Sequence, residues 1–517
     1  MRDHLHLLLL VGLYMLFMDK PAHIDDANFL ALARSAASNP WAPHDIMINW
    51  GGVTERAFDV LSNPPGIAWW LAPVAHLSVF WMHLWMLPWL VIAAIGCSRL
   101  GQRIAGNGPF ASVLICGAPI AMLASHSLTP DLPLLACTLW GLDAVTDPQR
   151  SRRGALIVGF GAWFRYSALA LIPIVILWPW LHGDRRRALE LGILAAIPFA
   201  ALSVHDLMAY EAIHAFAMTE FQSVSNSPDQ LFHKGVASMA AFGGAAVLPV
   251  LAWARPRRAA AGAVAGLAVG WMAAAWADHS GTALVATVAA CGAGGCSYAA
   301  AFTARNRVDG WLAAWTVTGI VFLLGLRFTA ARYWIPFFAP AVLIGLRHAS
   351  PRLTQIAAAL TLTLSLALAS DDRDLAMIQS DAAGVAAAAG VGRIAGHWGF
   401  QHHLMAQGWS SVEDDQHIKP GAWVAESRIS WPQEPANACF DFVHVVPLYD
   451  PNPGLRIHTE AGGANIHGHS IAGRPPMPVF APWSVGSDPM DVLTLRRACP
   501  DPSSESPTPD GSPNHTR

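Results

Sequence analysis

Long apolar runs alternate with short polar connections over roughly the first 370 residues of the chain. A membrane-spanning helix needs about 20 predominantly apolar residues, and several of these runs approach or exceed that length. The pattern predicts thirteen spans, although the fifth and sixth runs also fit a pair of short or broken helices. The predicted runs are 5–18, 81–98, 109–124, 132–146, 154–164, 167–181, 188–210, 236–253, 259–277, 281–303, 311–326, 333–346 and 353–369.

The composition agrees with a protein embedded in a lipid bilayer. Of 517 residues, 54% are hydrophobic and only 13% are charged, whereas a soluble domain carries about 25% charged residues. The net charge of −3 argues against a nucleic-acid partner, which requires a basic face. The seven cysteines show neither CxxC nor Cys/His spacing, which excludes a zinc ribbon or a thioredoxin-like fold. We therefore predict an all-α polytopic membrane protein.

Basic residues at every second connection predict the orientation, because Lys and Arg collect on the cytoplasmic side. With the N-terminus inside, sixteen of the Lys and Arg residues before position 370 lie inside and seven lie outside. The odd number of spans then places everything after residue 369 outside. We expect a multi-pass protein of the cell membrane, a bacterial inner membrane in particular, with a cytoplasmic N-terminus.

Two polar segments, 19–80 and 211–235, are predicted to be outer loops. Within the first, residues 64–80 are apolar but are not predicted to cross. A crossing there would place the next basic cluster, Arg99 and Arg103, outside. We expect 64–80 to lie in the membrane interface or to dip part-way into it.

The chain changes character after residue 369. Residues 370–499 have a mixed composition with short β-like runs, which predicts a small outer α/β or β-containing domain after a transmembrane domain at 1–369. Residues 500–517 are rich in Ser, Pro and Asp, which is typical of a disordered tail. Cys439 and Cys499 are the only cysteines outside the predicted spans, and an oxidising compartment would allow them to pair.

The strongest candidate for chemistry is the segment HIDDANFLALAR just after the first apolar run. Asp25 and Asp26 stand side by side at a predicted membrane exit, ahead of an amphipathic helix. One interpretation is a helix cap, in which a carboxylate accepts first-turn N–H bonds. The other is an active site on the outer surface.

Other polar residues fall on the same predicted outer side. Pro64 and Pro65 follow Asn63 in the first outer loop, where Pro suits the first turn of a helix. Asp131 lies at the outer mouth of the fourth predicted span, and His126 precedes it. Anchoring and helix capping explain these residues as readily as chemistry does.

Arginines on the predicted outer side are informative because the positive-inside bias disfavours them. Arg165 and Tyr166 stand between two apolar halves, and Arg327, Arg332 and Tyr333 stand at a late outer helix end. Such arginines need a partner. An anionic lipid phosphate fits, because the guanidinium binds phosphate through a fixed fork of donors.

The order of these motifs resembles the GT-C glycosyltransferases. The similarity is greatest to the family 39 type, which includes dolichyl-phosphate-mannose–protein mannosyltransferases and bacterial lipid A aminoarabinose transferases. The resemblance covers about residues 1–370. Its carriers are Asp25-Asp26 after the first span, Pro64-Pro65, Asp131 before the fourth span, Arg165-Tyr166, and Arg332-Tyr333 followed by Pro336.

The resemblance implies a cell-envelope enzyme that transfers a sugar from a polyprenyl-phosphate donor to a lipid, glycan or protein acceptor, with inversion. The family's acidic base falls on Asp25, and Asp26 takes the place usually held by Glu, so either carboxylate is a candidate. Asn63 stands where relatives often have Lys or His. A phosphate or acceptor contact expected at that position is therefore absent or moved.

The remaining roles follow from the same chemistry. Displacement at an anomeric carbon needs a carboxylate base and cations that stabilise the departing phosphate. Arg332, Arg165 and Tyr333 are the candidate donor-phosphate residues. The candidate residues for positioning or substrate contact are Asp131, Asn63, Pro64, Pro65 and His126.

No cofactor is expected, because a phosphate-linked sugar already carries a good leaving group. No nucleotide-binding Gly-rich loop is found in the sequence. His23, Asp26 and His44 are the candidates for a divalent ion, but capping or solvation accounts for such groups more often, and no firm metal site is predicted.

Two other classes remain open at this stage. A secondary transporter would place ionisable residues near the bilayer midplane, in two related halves with broken helices. The predicted spans are nearly free of charge at mid-depth, and the carboxylates gather at one face. That distribution favours surface chemistry. A non-catalytic scaffold with an outer platform is the third class, and the sequence identifies neither a sugar nor an acceptor.

Overall fold

The structure is a computed structural model that describes residues 4–222, 227–302, 305–436, 439–449, 454–472 and 476–499. Helices dominate as far as residue 388, and most strands follow it. The helices are α1 (Leu5–Met15), α2 (Asp26–Ser38), α3 (Ala57–Val60), α4 (Gly66–Leu71), α5 (Val79–Ala105), α6 (Gly108–Cys116), α7 (Pro119–Ser125), α8 (Asp131–Val145), α9 (Ser151–Phe160), α10 (Ile172–Leu181), α11 (Arg185–Tyr210), α12 (His214–Gln222), α13 (Pro228–Ala241), α14 (Pro256–Trp276), α15 (Gly281–Ala301), α16 (Arg307–Gly325), α17 (Ala339–Leu346), α18 (Pro351–Ala388) and α19 (Trp398–Met405).

Within the described residues, six helices are long and apolar enough to cross a membrane: α5, α11, α14, α15, α16 and α18. Helices α6 and α7 form a pair bent by 69°, which makes a seventh span if the pair is counted as one. The all-helical, multi-pass character predicted from the sequence is confirmed. The number of long helices, however, is smaller than the thirteen apolar runs.

Breaks in the backbone account for part of the difference, and short helices such as α8 with 15 residues account for more of it. The 109–124 run is interrupted by Gly117 and by Pro119, which has no N–H to continue a helical hydrogen-bond ladder. The 236–253 run ends as an α-helix at Ala241 and continues as a π turn, Phe242–Ala246, and a 3-10 turn, Pro249–Ala254. The segment Tyr166–Leu181 is a shorter apolar helix.

Residues 19–80 contribute most of a separate apolar cluster. On α2, Phe29, Leu32, Ala33 and Ala36 are buried at helical spacing, so one face of the helix packs against the protein. Helix α4 and the following turn, Ala72–Val74, occupy the segment expected in the membrane interface. This packing fixes the start of α2, where the two aspartates lie.

Helix α18 continues through the predicted domain boundary at 369/370 and ends at Ala388. Ser350 caps it by accepting a hydrogen bond from the Leu353 N–H. Its last turns pack into the C-terminal core, where Ala382 and Ala386 lie with Phe400 and Leu493. One helix therefore belongs to both the membrane region and the C-terminal domain.

The C-terminal domain contains the predicted β structure. Its five-stranded sheet has the order β4 (Ser410–Ser411), β3 (Gly392–Ala395), β5 (Trp423–Ser427), β13 (Asp491–Ala498) and β6 (Phe440–Leu448). In this sheet β3 pairs parallel with β4 and β5, and β13 pairs antiparallel with β5 and β6. Cys439 and Cys499 form a disulfide beside β6 and β13, as the sequence suggested. The predicted tail, 500–517, lies outside the described residues. The strands are β1 (Met47–Asn49), β2 (Thr54–Arg56), β3 (Gly392–Ala395), β4 (Ser410–Ser411), β5 (Trp423–Ser427), β6 (Phe440–Leu448), β7 (Gly454–Arg456), β8 (His458–Thr459), β9 (Ala464–Asn465), β10 (Ser470–Ile471), β11 (Met477–Pro478), β12 (Ser484–Gly486) and β13 (Asp491–Ala498).

Candidate active site

A cavity of about 790 Å³ lies between the helical region and the C-terminal domain. Five residues predicted from the sequence line it, and they come from four separate stretches of the chain. They are Asp25, Asn63, Arg165, Arg332 and Tyr333. A cavity of this size is large enough for a small-molecule ligand or a lipid headgroup.

Asp25 forms an ion pair with Arg332 across 307 positions of sequence. Asp25 precedes α2, but its side chain caps no backbone N–H of that helix. Ile24, just before it, has a φ of +44°, which a β-branched residue rarely adopts. The cap interpretation is therefore wrong for Asp25, whose carboxylate turns toward the cavity.

The electrostatics of Arg332 follow from this pairing. Burial opposes the charged guanidinium, but the carboxylate of Asp25 outweighs burial and raises the pKa of Arg332, with Tyr333 and Asp131 contributing in the same direction. Arg332 therefore remains a cation at every physiological pH. Its Nε is buried without a hydrogen-bond partner, so the side chain keeps donor capacity beyond its pair with Asp25.

A second ion pair joins Arg165 to Asp131, the first residue of α8. The Asp131 side chain is only 1% exposed, and its Oδ2 is buried without a hydrogen-bond partner. Arg165 follows the short 3-10 turn Gly161–Trp163 and lines the cavity. Asp131 therefore orients a cationic side chain from behind.

Tyr333 brings the two arginines together. The guanidinium carbon of Arg165 lies 4.7 Å from the centre of the Tyr333 ring, and that of Arg332 lies 5.6 Å from it. Such contacts are favourable cation–π interactions. Two guanidiniums held beside one ring, each with its own carboxylate, form a site that can receive a phosphate group.

Asp26 does not share this environment, which corrects its assignment as a catalytic residue. Its side chain is fully buried, and the N–H groups of Leu128 and His23 donate to its two oxygens at 2.8 and 3.2 Å. Burial raises the pKa of Asp26 to about 6. Asp26 does not line the cavity but ties the start of α2 to the segment before α8.

His126, Pro64 and Pro65 also lie away from the cavity lining. The two ring nitrogens of His126 are each 2.8 Å from a backbone carbonyl oxygen, those of Met122 and Tyr14. The two prolines are buried, and the carbonyl of Pro65 accepts a hydrogen bond from the N–H of Trp69 in α4. They support Asn63 at the cavity edge rather than contacting a ligand.

The residues suggested for a metal do not assemble. The Nε2 of His44 lies 3.0 Å from the carbonyl oxygen of Asn63, and its ring packs against His214. His23 lies instead beside Asp372 and His467, and the potential ligand atoms of these three are within 4.8 Å of one another. Lys20, however, already pairs with Asp372.

The sequence interpretation missed the residues of this second cluster. Asp371 and Asp372 are adjacent on α18, next to the predicted domain boundary at 369/370. Asp371 pairs with Arg456 at 2.9 Å, and Asp372 pairs with Lys20 and His467. The SDDRD run at the end of the last apolar segment was the available signal.

The fold and its cavity define a multi-pass membrane protein with a polar site at one end of its helices. No protein-family model matches the chain, and no curated protein matches it.

Two solved structures are similar to the chain. ArnT from Cupriavidus metallidurans bound to undecaprenyl phosphate has 14% sequence identity, with 82% of this chain and 92% of that chain covered and a TM-score of 0.41. The apo state of the same protein has 14% identity, coverages of 78% and 84%, and a TM-score of 0.39. A functional assignment has to come from the side chains of the cavity.

Proposed function

We propose that the chain is a GT-C-type glycosyltransferase. It would transfer a sugar from a polyprenyl-phosphate donor to a lipid, glycan or protein acceptor on the outer face of the membrane. The observation that carries this proposal is the meeting of Asp25, Arg165, Arg332 and Tyr333 in one cavity. This arrangement places a carboxylate beside two cationic side chains that can bind a phosphate.

In this mechanism the donor phosphate binds between Arg332 and Arg165. Phosphate oxygens would replace the carboxylate of Asp25 on Arg332, because a guanidinium binds phosphate through the same fork of donors. Asp25 is then an unpaired carboxylate at the edge of the phosphate site. Asp131 keeps Arg165 in place from behind.

Transfer is a single displacement. The acceptor oxygen attacks the anomeric carbon opposite the phosphate, while Asp25 takes the hydroxyl proton. The bond between the anomeric carbon and the phosphate oxygen breaks, and its electron pair leaves with the phosphate, where Arg332 and Arg165 stabilise the developing charge. The products are an inverted glycoside and a polyprenyl phosphate. The leaving group is already activated, so this route needs no cofactor.

A transporter is the alternative class, and the site supports it less well. A transport path places its ionisable groups near the bilayer midplane. Asp25 and Asp131 instead stand at the first turns of α2 and α8, and Arg332 lies in the short turn Ala331–Trp334. Asp25 and Arg332 line the cavity below the C-terminal domain, and Asp131 pairs with Arg165 of the same lining.

Two measurements test the proposal. Undecaprenyl phosphate should raise the thermal midpoint of the purified protein, because a ligand that binds only the folded state stabilises it. Glycolipids and glycans from cells with and without the gene should differ by one sugar unit. No stabilisation together with unchanged glycans and glycolipids would refute the glycosyltransferase assignment.

A further inference from the structure

The cavity has two unlike walls. One wall carries the arginines Arg165, Arg327 and Arg332. A second wall comes from the C-terminal domain, and within the described residues none of its lining side chains is Lys or Arg. Trp398 and Trp431 stand on this second wall, and Trp50 of the first outer loop joins them. We call these three residues the tryptophan wall.

Two of these tryptophans have an unusual backbone. Trp398 has a φ of +65° and Trp431 a φ of +49°, values that are outliers for a bulky residue. Conformations of this kind persist only where the surrounding structure enforces them, and they concentrate at ligand-binding sites. Their occurrence at two tryptophans of one cavity points to a function for the indole rings.

Hydrogen bonds lock the tryptophan wall together. The side chain of Gln433, two residues after Trp431, accepts from the N–H of Gly396 and donates to Oδ1 of Asn49 at 3.1 Å. The N–H of His397 donates to the carbonyl of Ser430 at 2.9 Å. The turns that carry Trp50, Trp398 and Trp431 are thus connected to one another, and the rings of Trp50 and Trp398 lie 6.4 Å apart.

Two uncharged ring nitrogens in the cavity lining remain without hydrogen-bond partners. Nδ1 of His397 and Nε2 of His458 are buried and accept or donate no hydrogen bond. Both residues line the cavity, and both are less than 10% exposed. Burial lowers the pKa of each imidazole to about 4, so both are neutral near pH 7. A buried polar atom without a partner is costly unless a ligand or water completes it.

We propose that the tryptophan wall is the acceptor subsite and that it binds a saccharide. A sugar ring offers an apolar C–H face for stacking on indole and a rim of hydroxyls for His397 and His458. This inference rests on the proposed glycosyltransferase function. It narrows the acceptor to a glycan or glycolipid, because an amino-acid hydroxyl would leave the tryptophan wall unfilled.

The distribution of charge between the two walls indicates that the saccharide bound at the tryptophan wall is the acceptor. The donor phosphate requires the arginine wall, so the donor enters from the side of Arg165 and Arg332. Asp25 lies at the start of α2, and α19 packs against the same segment, since Gly399 lies directly against the Ala22 carbonyl. The base therefore stands between the two walls, where the acceptor hydroxyl has to be.

Saturation-transfer difference NMR of the full-length protein in detergent tests the subsite, with methyl glycosides of a hexose, a pentose and an amino sugar as probes. At least one should receive saturation at its ring C–H protons. Binding should be about fivefold weaker in Trp398→Ala and Trp431→Ala, as expected for the loss of one aromatic contact. Trp398→Phe keeps an aromatic face and should retain most binding even if an alanine variant folds poorly. Trp41→Ala, an exposed tryptophan outside the cavity lining, is the matched control.

A parallel thermal titration with undecaprenyl phosphate separates the two proposals. Stabilisation by the lipid without any saccharide signal in the unaltered protein would refute the subsite and leave the glycosyltransferase proposal standing. A saccharide signal without lipid stabilisation, together with unchanged glycans and glycolipids in cells without the gene, would refute the glycosyltransferase proposal and, with it, the acceptor assignment. Equal loss of lipid stabilisation in the tryptophan variants would assign the wall to the donor and overturn the inference.

Discussion

Each end of helix α8 carries an arginine–aspartate cluster, and the two clusters differ in the number of arginines around the carboxylate. At its start, Asp131 holds Arg165 beside the cavity and keeps one oxygen without a partner. Near its end, Asp143 receives Arg99, Arg103 and Arg150 at 3.1 to 3.4 Å. Both carboxylates are 1% exposed, so burial alone does not distinguish them.

The two carboxylates differ in the number of arginines with which each one forms an ion pair. Three arginines surround Asp143, so this end is a closed network. At the Asp131 end each arginine has one carboxylate, and both arginines line a cavity. Ion pairs of similar chemistry therefore stabilise the fold at one end and remain available to a ligand at the other. Substitutions at the two ends should separate activity from stability.

The largest expected effect is that of Asp25→Asn at the cavity end. Removing the base should lower transfer by about 10²- to 10⁴-fold, while the amide still accepts a hydrogen bond from Arg332 and the protein stays folded. The measurement is sugar transfer by membranes that contain equal amounts of protein. Asp59→Asn is the matched control, because Asp59 lies in the same outer loop and is half exposed in a pair with Arg56. Full transfer activity in the Asp25→Asn variant would show that Asp25 is not the base.

Arg332→Lys should have the next largest effect. The lysine keeps the charge but loses the fork of donors that grips a phosphate, so the KM for the polyprenyl donor should rise about tenfold. The exposed Arg34, changed to Lys, provides the control. An unaltered donor KM would place the phosphate elsewhere in the cavity.

At the other end of α8, Asp143→Asn should destabilise the protein without impairing catalysis. The loss leaves three arginines without their shared carboxylate. Because these arginines are 29–46% exposed, the cost should be about 2 kcal/mol, below that of a fully buried pair. Chemical unfolding in detergent measures this cost. Transfer per folded molecule should match the unaltered protein, and a selective loss of transfer would erase the distinction between the two ends.

Acidification should produce a smaller effect at the cavity end. His397 and His458 have pKa values lowered to about 4 by burial, against about 6.5 in an unfolded chain. The unfolded state then binds more protons, so their contribution to stability falls as the pH drops from about 6.5 toward 4. Asp26 acts with the opposite sign, because burial raises its pKa to about 6 and favours the folded state at low pH.

Thermal unfolding at a series of pH values measures this balance. His458→Gln should reduce the loss of thermal stability between pH 6.5 and 4, because the amide does not titrate. The same slope in the variant and the unaltered protein would show that His458 does not carry this pH dependence.

The sparse outer charges made much of the site predictable. Asp25, Arg165 and Arg332 were found because the positive-inside pattern leaves few charges on their side, and the structure brings them together. Asp26, also predicted to be catalytic, lies outside the cavity lining, since adjacency in sequence does not show which carboxylate faces a cavity. Trp431 was missed because its position depends on a turn that Gln433 and Ser430 fix by long-range hydrogen bonds.

The fold shows the same division between local and long-range information. Hydropathy located the apolar segments, but it does not show whether an apolar segment forms one continuous helix. Gly117 and Pro119 therefore split a run that composition alone joins. In the opposite direction, α18 continues past a change of composition at Ser370, because its later turns are buried by the C-terminal domain instead of lipid.

Helix α18 is much longer than a single membrane crossing requires. Its 38 residues correspond to about 57 Å of helix, whereas the hydrocarbon core of a bilayer is about 30 Å thick. One continuous helix thus sets the height of the C-terminal domain above the lipid. On the proposed function, an acceptor would be selected partly by reach, since its sugar has to project from its carrier to that fixed height.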